Sequence, residues 1–300
     1  MTIIEGLKNE FPLIKADVSL REYSTFRIGG NAKFLLKVSD KKELKRIIEK
    51  ANNINLPFLV IGGGSNILFS SKGYDGIIIV YKQDKLINSI VNKNNIINID
   101  ANIPLSVLIS ETKLLSGLEW AVGIPGTLAG AINGNAGAFG ESISDIIKSV
   151  NVLELKKGKL IEKKYNKDDC HFSYRNSVFK NNNNLIILSA EIQMNSGNKE
   201  EIEKRIRGNL NKRSLKQPKG FSVGSIFKNG NDFSAGLLIE KAGLKGMKIG
   251  DAKISEEHAN FIINLGNASS DDVLNLIKII KKEVKEKFSI DLEEEIKIFN

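Results

Sequence analysis

The sequence predicts a protein of mixed strands and helices built from more than one domain. Three observations predict it. The chain has 300 residues, long for one compact core. Short β-type segments crowd its first two-thirds, with few helices between them. Near Asn195–Asn198 the pattern breaks at a turn-like SGN, and amphipathic helices follow. The main boundary is therefore set near residue 196 and a weaker one near residue 82, which leaves segments 1–82, 83–196 and 197–300.

Taken in order, DKKELKRIIEKA over residues 40–51 reads as a helix. Asp40 and Glu43 make a capping-box-like start, and Leu44, Ile47, Ile48 and Ala51 share one face. Pro57 opens PFLVIGGGSN, a short apolar strand running into a glycine loop. Ile77–Val80, Ile96–Ile99, Val150–Leu155, Leu185–Leu188 and Glu191–Met194 read as strands, and Pro104 to Ser116 as a helix ending before Gly117. KEEIEKRIRGNLNKR carries Ile202, Ile206 and Leu210 at helical spacing. A last helix is expected from Ser269 to Phe288, burying Val273, Leu276, Ile277, Ile280, Val284 and Phe288.

Composition narrows the chemistry. With 41% hydrophobic and 26% charged residues the chain is an ordinary globular one, and no apolar run approaches bilayer length. Residues 1–10 lack the cationic start and apolar stretch of an export signal, so a cytoplasmic location is expected. One cysteine, Cys170, and two separated histidines, His171 and His258, argue against disulfides and metal sites. The net charge of +9 comes from scattered lysines without interleaved aromatics, which argues against a nucleic-acid surface.

Two glycine loops stand out. Gly62, Gly63 and Gly64 follow a strand and precede Ser65 and Asn66, a pattern that fits either a tight turn or a backbone nest for phosphate oxygens. The stretch from Val122 to Gly140 is more than half glycine and alanine. So few side chains make sense where the chain wraps a large flat ligand. Neither loop fits GxGxxG opening a βαβ unit or a loop ending in GK[ST]. A dinucleotide held outside a Rossmann fold is the expectation.

The polar candidates each have a bland alternative. Arg175, in SYRNS, is either a surface arginine paired with Asp168 or Asp169 or a fixed cation for a substrate carboxylate. Ser225 is either a turn residue or a proton donor assisted by Lys228, Asn229 or a charged cofactor. Glu295 either faces solvent on a terminal strand, with Leu292, Glu294, Ile296 and Ile298 on the opposite face, or points into a cleft. His258 reads as a structural histidine. Ser222 sits in a Gly-x-Ser-x-Gly match that lacks the flanking strand and helix of a nucleophile elbow.

The order and wording of these segments carry a resemblance. STFRIGG from Ser24, IGGGSN, GIPGTLAGAINGNAGAFG, SYRNS, GSIFKN, AGLLIEKAGLKG, SEEHANFIIN and LEEEIKI closely resemble the UDP-N-acetylenolpyruvoylglucosamine reductase family over nearly the whole chain. The resemblance implies an α+β protein of three domains. Residues 1–82 and 83–196 would form an FAD-binding unit like that of the vanillyl-alcohol oxidase-like flavoproteins, and 197–300 would bind the UDP-sugar. It implies FAD as cofactor and NADPH as reductant, with NADPH leaving before the enolpyruvyl substrate enters. A monomer acting on small molecules, without nucleic acid or membrane partners, is expected.

Carried over residue by residue, the resemblance makes Arg175 the contact to the substrate carboxylate, Ser225 the proton donor and Glu295 the glutamate supporting the intermediate. Tyr174, Lys228, Asn229 and Arg213 match substrate-contact positions, with Arg213 and Lys212 expected at the diphosphate. Flavin contacts are expected from Ile61, Gly62, Gly63, Gly64, Ser65 and Asn66 in the first loop. The second would supply Gly123, Pro125, Gly126, Thr127, Gly130, Ala131, Asn135, Gly137 and Ala138. Gly230 stands where the family commonly has proline, which predicts a looser substrate loop, and Glu294 stands at another usual proline. No tyrosine lies between Arg175 and Ser225, so the chain resembles the shorter type without a tyrosine-bearing closing loop. A rival reading, a small-molecule oxidase with flavin tethered through His or Cys, would place such a residue in the glycine loops, and Cys170 and His171 lie outside them.

Overall fold

A computed structural model describes residues 3–83, 90–91, 95–180 and 182–299. The chain divides into two compact units. The first takes Met1–Lys15, Phe34–Gly63 and Gly76–Arg213; the second takes Ala16–Lys33, Gly64–Asp75 and Ser214–Asn300. Strands and helices are mixed in both, as the α+β reading requires.

In the first unit the helix Lys41–Asn53 starts where the sequence places it. The Asp40 carboxylate accepts from the backbone N–H of Lys42 and Glu43 and so satisfies donors that the first helical turn leaves open. Leu44, Ile47, Ile48 and Ala51 are fully buried and join Leu36, Ile77, Ile79, Leu153 and Ile186 in one core. The strand Phe58–Ile61, which leads into the first glycine loop, runs parallel to Ile77–Val80.

A five-stranded antiparallel sheet builds the second core, in the order Lys159–Asn166, Ile147–Lys156, Leu185–Gln193, Ile96–Asp100, Ile90–Val91. The two segments expected at 185–188 and 191–194 are one continuous strand, Leu185–Gln193. Ser189 and Ala190, which look like a break in the apolar run, pair on both sides, with Asn151 and Val150 and with Asp100 and Ile99. The helix expected from Pro104 to Ser116 ends at Glu111. Thr112 turns its hydroxyl back to the Leu108 carbonyl at 2.8 Å, and Leu115–Ser116 leaves to pair with Asn195–Ser196.

The helix Lys199–Lys216 packs through two of the three apolar residues its spacing singles out. Ile202 is buried and Ile206 packs on the sheet core, but Leu210 is exposed. Arg205, Asn209 and Arg213, four residues apart, add polar contacts to that packing. Arg205 reaches Ser116 and the buried Glu119, Asn209 donates to the Glu119 carbonyl and Arg213 to the Trp120 carbonyl, both at 3.0 Å. Polar anchors continue the contact in the last turns, where Leu210 faces solvent.

In the second unit Ser269 and Asp272 form a reciprocal capping box on the helix Ser270–Phe288. Val273, Leu276, Ile277, Ile280 and Val284 bury against Ile254, Ile262, Phe26, Ile28, Leu68 and Phe227, with Phe288 partly buried at the edge. Ala252–Ile254 pairs antiparallel with Ile262–Asn264. The long C-terminal strand contracts to Lys297–Phe299, parallel to Ile67–Phe69. Leu292 and Ile296 are buried as expected, while Glu294 is held by an ion pair to Lys281 at 2.9 Å. No helix among the described residues is long and apolar enough to cross a membrane.

Candidate active site

The two glycine loops touch through their missing side chains. A Cβ on Gly62 would stand 2.4 Å from Thr127 Oγ1, and one on Gly63 would stand 2.8 Å from the Gly126 Cα. Gly64 adopts φ +61°, and its Cβ would meet the Tyr23 carbonyl at 1.9 Å. Part of the glycine content therefore serves close backbone packing. Another part leaves room: nothing lies within 4 Å of a Cβ on Gly140, and Gly130 and Gly134 offer only ordinary contacts at 3.7 and 3.8 Å. Buried Thr127 caps the short helix Leu128–Asn133, accepting from Gly130 N–H at 3.3 Å, and Ala131 is buried behind it. The result in the first unit is a wall made of backbone, with Ile61 buried at its root; Ser65, in the second unit, is partly buried.

Arg175 is set by a tight turn in the first unit. Ser173 and Asn176 exchange backbone hydrogen bonds at 3.1 Å, and Arg175 between them adopts φ +54°, costly for a side chain of this size. Three side-chain bonds clamp the turn to the glycine-rich stretch. Asn135 donates to the Ser173 carbonyl at 2.9 Å, Ser177 to the Asn133 carbonyl at 2.7 Å, and Asn133 to the Phe179 carbonyl at 3.1 Å. Lys180 donates to the Arg175 carbonyl at 2.9 Å. The Arg175 guanidinium lies over the exposed Tyr174 ring, 5.5 Å from its centroid. Asn135, expected as a cofactor contact, thus also fixes the arginine turn, and its Oδ1 takes the Ser144 N–H at 3.3 Å.

The sequence reading passed over Phe139, the single aromatic residue of the glycine-rich stretch. Its φ is +57°, its ring is about half exposed, and Lys212 and Arg213 both lie over it, at 5.3 and 5.2 Å. An aromatic side chain held at positive φ in a run chosen for small residues was the available signal.

In the second unit a buried asparagine aligns the catalytic candidates. Asn260 accepts from Phe227 N–H at 2.9 Å and donates to the Phe227 carbonyl at 2.8 Å, while its own carbonyl takes Ile226 N–H at 2.8 Å. Ser225 pairs with Phe261 as an isolated antiparallel bridge. On the other edge Glu295 N–H donates to the Ile226 carbonyl at 2.8 Å. Ser225 and Glu295 are thereby carried on adjacent, mutually bonded segments. Asn66, predicted to face a cofactor, donates its side-chain amide to the Glu295 carbonyl at 3.2 Å, and its carbonyl takes Lys297 N–H at 2.9 Å.

Lys228 is ion-paired with Glu293, and Asn229 Oδ1 accepts from Ala235 N–H at 3.0 Å. Gly230 is not a loose point. Its N–H donates to the Phe233 carbonyl at 3.1 Å, a bond proline could not make, and the Phe233 ring packs on it. Ser222 has no nucleophile-elbow setting, since the next helix begins only at Ala235. His258 Nδ1 accepts from Asn260 N–H at 3.2 Å, and burial holds the imidazole pKa below its ordinary value, so its role is structural. Cys170 donates to the Asn166 carbonyl at 3.3 Å, and burial, then Asp169, pushes its thiol pKa up to about 12. Such a thiol is no flavin tether.

The glycine-gapped loops and the fixed arginine turn, taken with a matched FAD binding domain and the relatives, make the chain an FAD-containing oxidoreductase of mixed α and β structure. The FAD binding domain family matches residues 32–163, and these residues contain both the Gly62–Gly64 loop and the Gly123–Gly140 stretch. Residues 216–299, with Ser225 and Glu295, match the UDP-N-acetylenolpyruvoylglucosamine reductase C-terminal domain. The UDP-N-acetylenolpyruvoylglucosamine reductase of Caldanaerobacter subterraneus subsp. tengcongensis is 42% identical over 93% of this chain and 91% of its own. That of Clostridioides difficile is 38% identical over 95% and 93%. The crystal structure of the Thermus caldophilus enzyme superposes with a TM-score of 0.81 at 33% identity, covering 96% of this chain and 99% of that one. The chain belongs to the UDP-N-acetylenolpyruvoylglucosamine reductase family.

Proposed function

We propose that this protein reduces the enolpyruvyl group of UDP-N-acetylglucosamine enolpyruvate to the lactyl group of UDP-N-acetylmuramate, with electrons from NADPH, in peptidoglycan precursor synthesis. The family assignment and the matched FAD binding domain support the reaction and the cofactor. FAD held there would supply the hydride-transfer chemistry that links NADPH to the terminal carbon of the enol ether. Residues 1–82 and 83–196 are assigned to the flavin, with Ile61–Asn66 and the 123–138 contacts named above as its cradle, and 197–300 to the sugar nucleotide.

The chain's own residues do the rest. Negative charge builds on the carboxylate as hydride arrives, and Arg175, preset by its turn, offsets that charge without having to move. Ser225 gives the proton to the neighbouring carbon, and Glu295 supports the serine or the intermediate. Tyr174, Lys228, Asn229 and Arg213 hold the substrate. The observation that carries this reading is the Asn260-centred frame, which fixes the Ser225 segment to the Glu295 segment by bonds of 2.8 Å. The enzyme works as a cytoplasmic monomer.

The test is product formation. Purified protein is incubated with NADPH and UDP-N-acetylglucosamine enolpyruvate, and the product is expected to gain the mass of two hydrogens as NADPH is consumed in equal amount. NADPH oxidation without the mass gain would refute the assignment.

A further inference from the structure

The segment STFRIGG opens with a turn, Ser24 to Arg27, that lies within the second unit and is fixed from several sides. Arg27 N–H donates to the Ser24 carbonyl at 3.0 Å, with Arg27 at φ +56°. The buried Ser24 hydroxyl donates to the Ile67 carbonyl and accepts from Phe26 N–H, both at 3.1 Å. Phe26 is fully buried in one core with Phe227 and Leu276, and buried Asn264 donates to its carbonyl at 2.9 Å. None of these ties uses the Thr25 side chain.

Thr25 is half-buried and bonds two ways. Its backbone N–H donates to the carbonyl of Gly64, the last glycine of the first loop, at 3.2 Å. Its hydroxyl donates to the Ser222 carbonyl at 2.7 Å. Ser222 begins the approach to Ser225. The ends of that approach are anchored, with Asn264 N–H on the Phe221 carbonyl at 2.9 Å and Ile226 N–H on the Asn260 carbonyl at 2.8 Å. Between the anchors Val223 is buried, but Gly224, at φ +81° with nothing within 4 Å of a Cβ, has no side chain to brace the backbone that leads into Ser225. The Thr25 hydroxyl braces that span from outside, through a short, well-formed hydrogen bond.

We propose that Thr25 is a positioning residue for the reduction: it holds the serine segment in register with Gly64, so that Ser225 lies where the proton must be delivered. This rests on the proposed function. Thr25 acts through the Ser222 backbone and not on the reacting atoms. Its hydroxyl therefore matters to the half-reaction that uses Ser225, while its backbone bond to Gly64 survives any side-chain substitution.

The test compares T25V, T25A and T25S in the FAD-loaded protein by anaerobic stopped flow. Valine keeps the branched shape and removes the hydroxyl, alanine removes both, and serine keeps the hydroxyl. T25V and T25A are expected to retain flavin and to be reduced by NADPH near the wild-type rate. Their reoxidation by UDP-N-acetylglucosamine enolpyruvate is expected to slow about tenfold, the effect of a slightly misplaced reacting group. T25S is expected to stay close to wild type in both steps. Unchanged reoxidation in T25V and T25A would overturn the inference, as would equal slowing of both half-reactions or a T25S variant as slow as T25V. Should T25V fail to fold, T25A carries the same expectation, and failure of both to fold would make the hydroxyl structural and overturn it. Wild-type flavin that NADPH reduces but the enolpyruvyl substrate does not reoxidise would instead contradict the proposed function.

Discussion

Asn66 bonds both ways to the C-terminal segment: its side-chain amide donates to the Glu295 carbonyl at 3.2 Å, and its carbonyl accepts Lys297 N–H at 2.9 Å. A residue of the first glycine loop therefore sets the position of the closing segment. Asn66→Ala removes one of these bonds, worth ~1 kcal/mol, and frees the Glu295 backbone on one side. The FAD-loaded variant is expected to melt only slightly earlier, yet to turn over enolpyruvyl substrate several-fold more slowly. Wild-type turnover in Asn66→Ala would show that this tie has no part in catalysis.

Ser225 is held on both sides, by the Phe261 bridge and by the Ile226 bonds to Asn260 and Glu295. Because the backbone carries that positioning, Ser225→Ala should fold normally. Reduction of the flavin by NADPH is expected to stay near wild type in stopped-flow traces. Reoxidation by the enolpyruvyl substrate is expected to slow by about 10²–10⁴-fold, the contribution of a positioned proton donor. Equal slowing of both half-reactions would make the serine structural.

Gly64 has no tolerable substitute. At φ +61°, with the Tyr23 carbonyl 1.9 Å from where a Cβ would stand, Gly64→Ala must displace the Tyr23–Ser24 backbone. The cost is expected to exceed ~2 kcal/mol from strain and overpacking together. Gly140→Ala, with open space around the added methyl and only its positive φ of 88° against it, should cost less. Comparing the melting temperatures and bound flavin of the two variants checks the ranking, and a reversed order contradicts it.

Glu119 links the sheet unit to acid stability. It is 2% exposed; burial alone would raise its pKa, but Gly117 N–H at 2.7 Å, the Ser116 hydroxyl at 2.8 Å and Arg205 at 3.2 Å together hold it below the ordinary 4.5. A carboxyl lowered in the folded state contributes stability that is fully present above its unfolded pKa. That contribution is lost as pH falls through the lower folded value. Wild type should therefore lose stability below about pH 4.5, and Glu119→Gln should be less stable at neutral pH by ~1–3 kcal/mol, with the difference shrinking in acid. A difference that stays constant with pH would mean that the carboxylate charge contributes nothing.

Local signals carried much of the architecture. The Asp40 cap and the apolar faces of the 41–53 and 270–288 helices appear as the residue spacing dictates, because each is decided within a few residues. What the spacing missed depends on partners distant in sequence. Ser189 and Ala190 look like a break until both flanking strands are in place. The polar anchors of the 199–216 helix, Arg205, Asn209 and Arg213, could not be read from spacing because their partners Glu119 and Trp120 lie about ninety residues away. The site was legible only as motifs. No residue pattern gave the Asn260 frame, the double role of Asn66 or the Phe139 seat of Arg213, since each exists only once the chain has closed on itself.

The flavin itself reports most directly on the central claim. Oxidised protein is mixed anaerobically with NADPH, and the visible flavin absorbance is followed before and after UDP-N-acetylglucosamine enolpyruvate is added. The expected result is bleaching by NADPH and full recovery of colour on adding that substrate, but not on adding UDP-N-acetylglucosamine. A flavin that NADPH fails to bleach, or that regains its colour equally with both sugar nucleotides, would contradict the account.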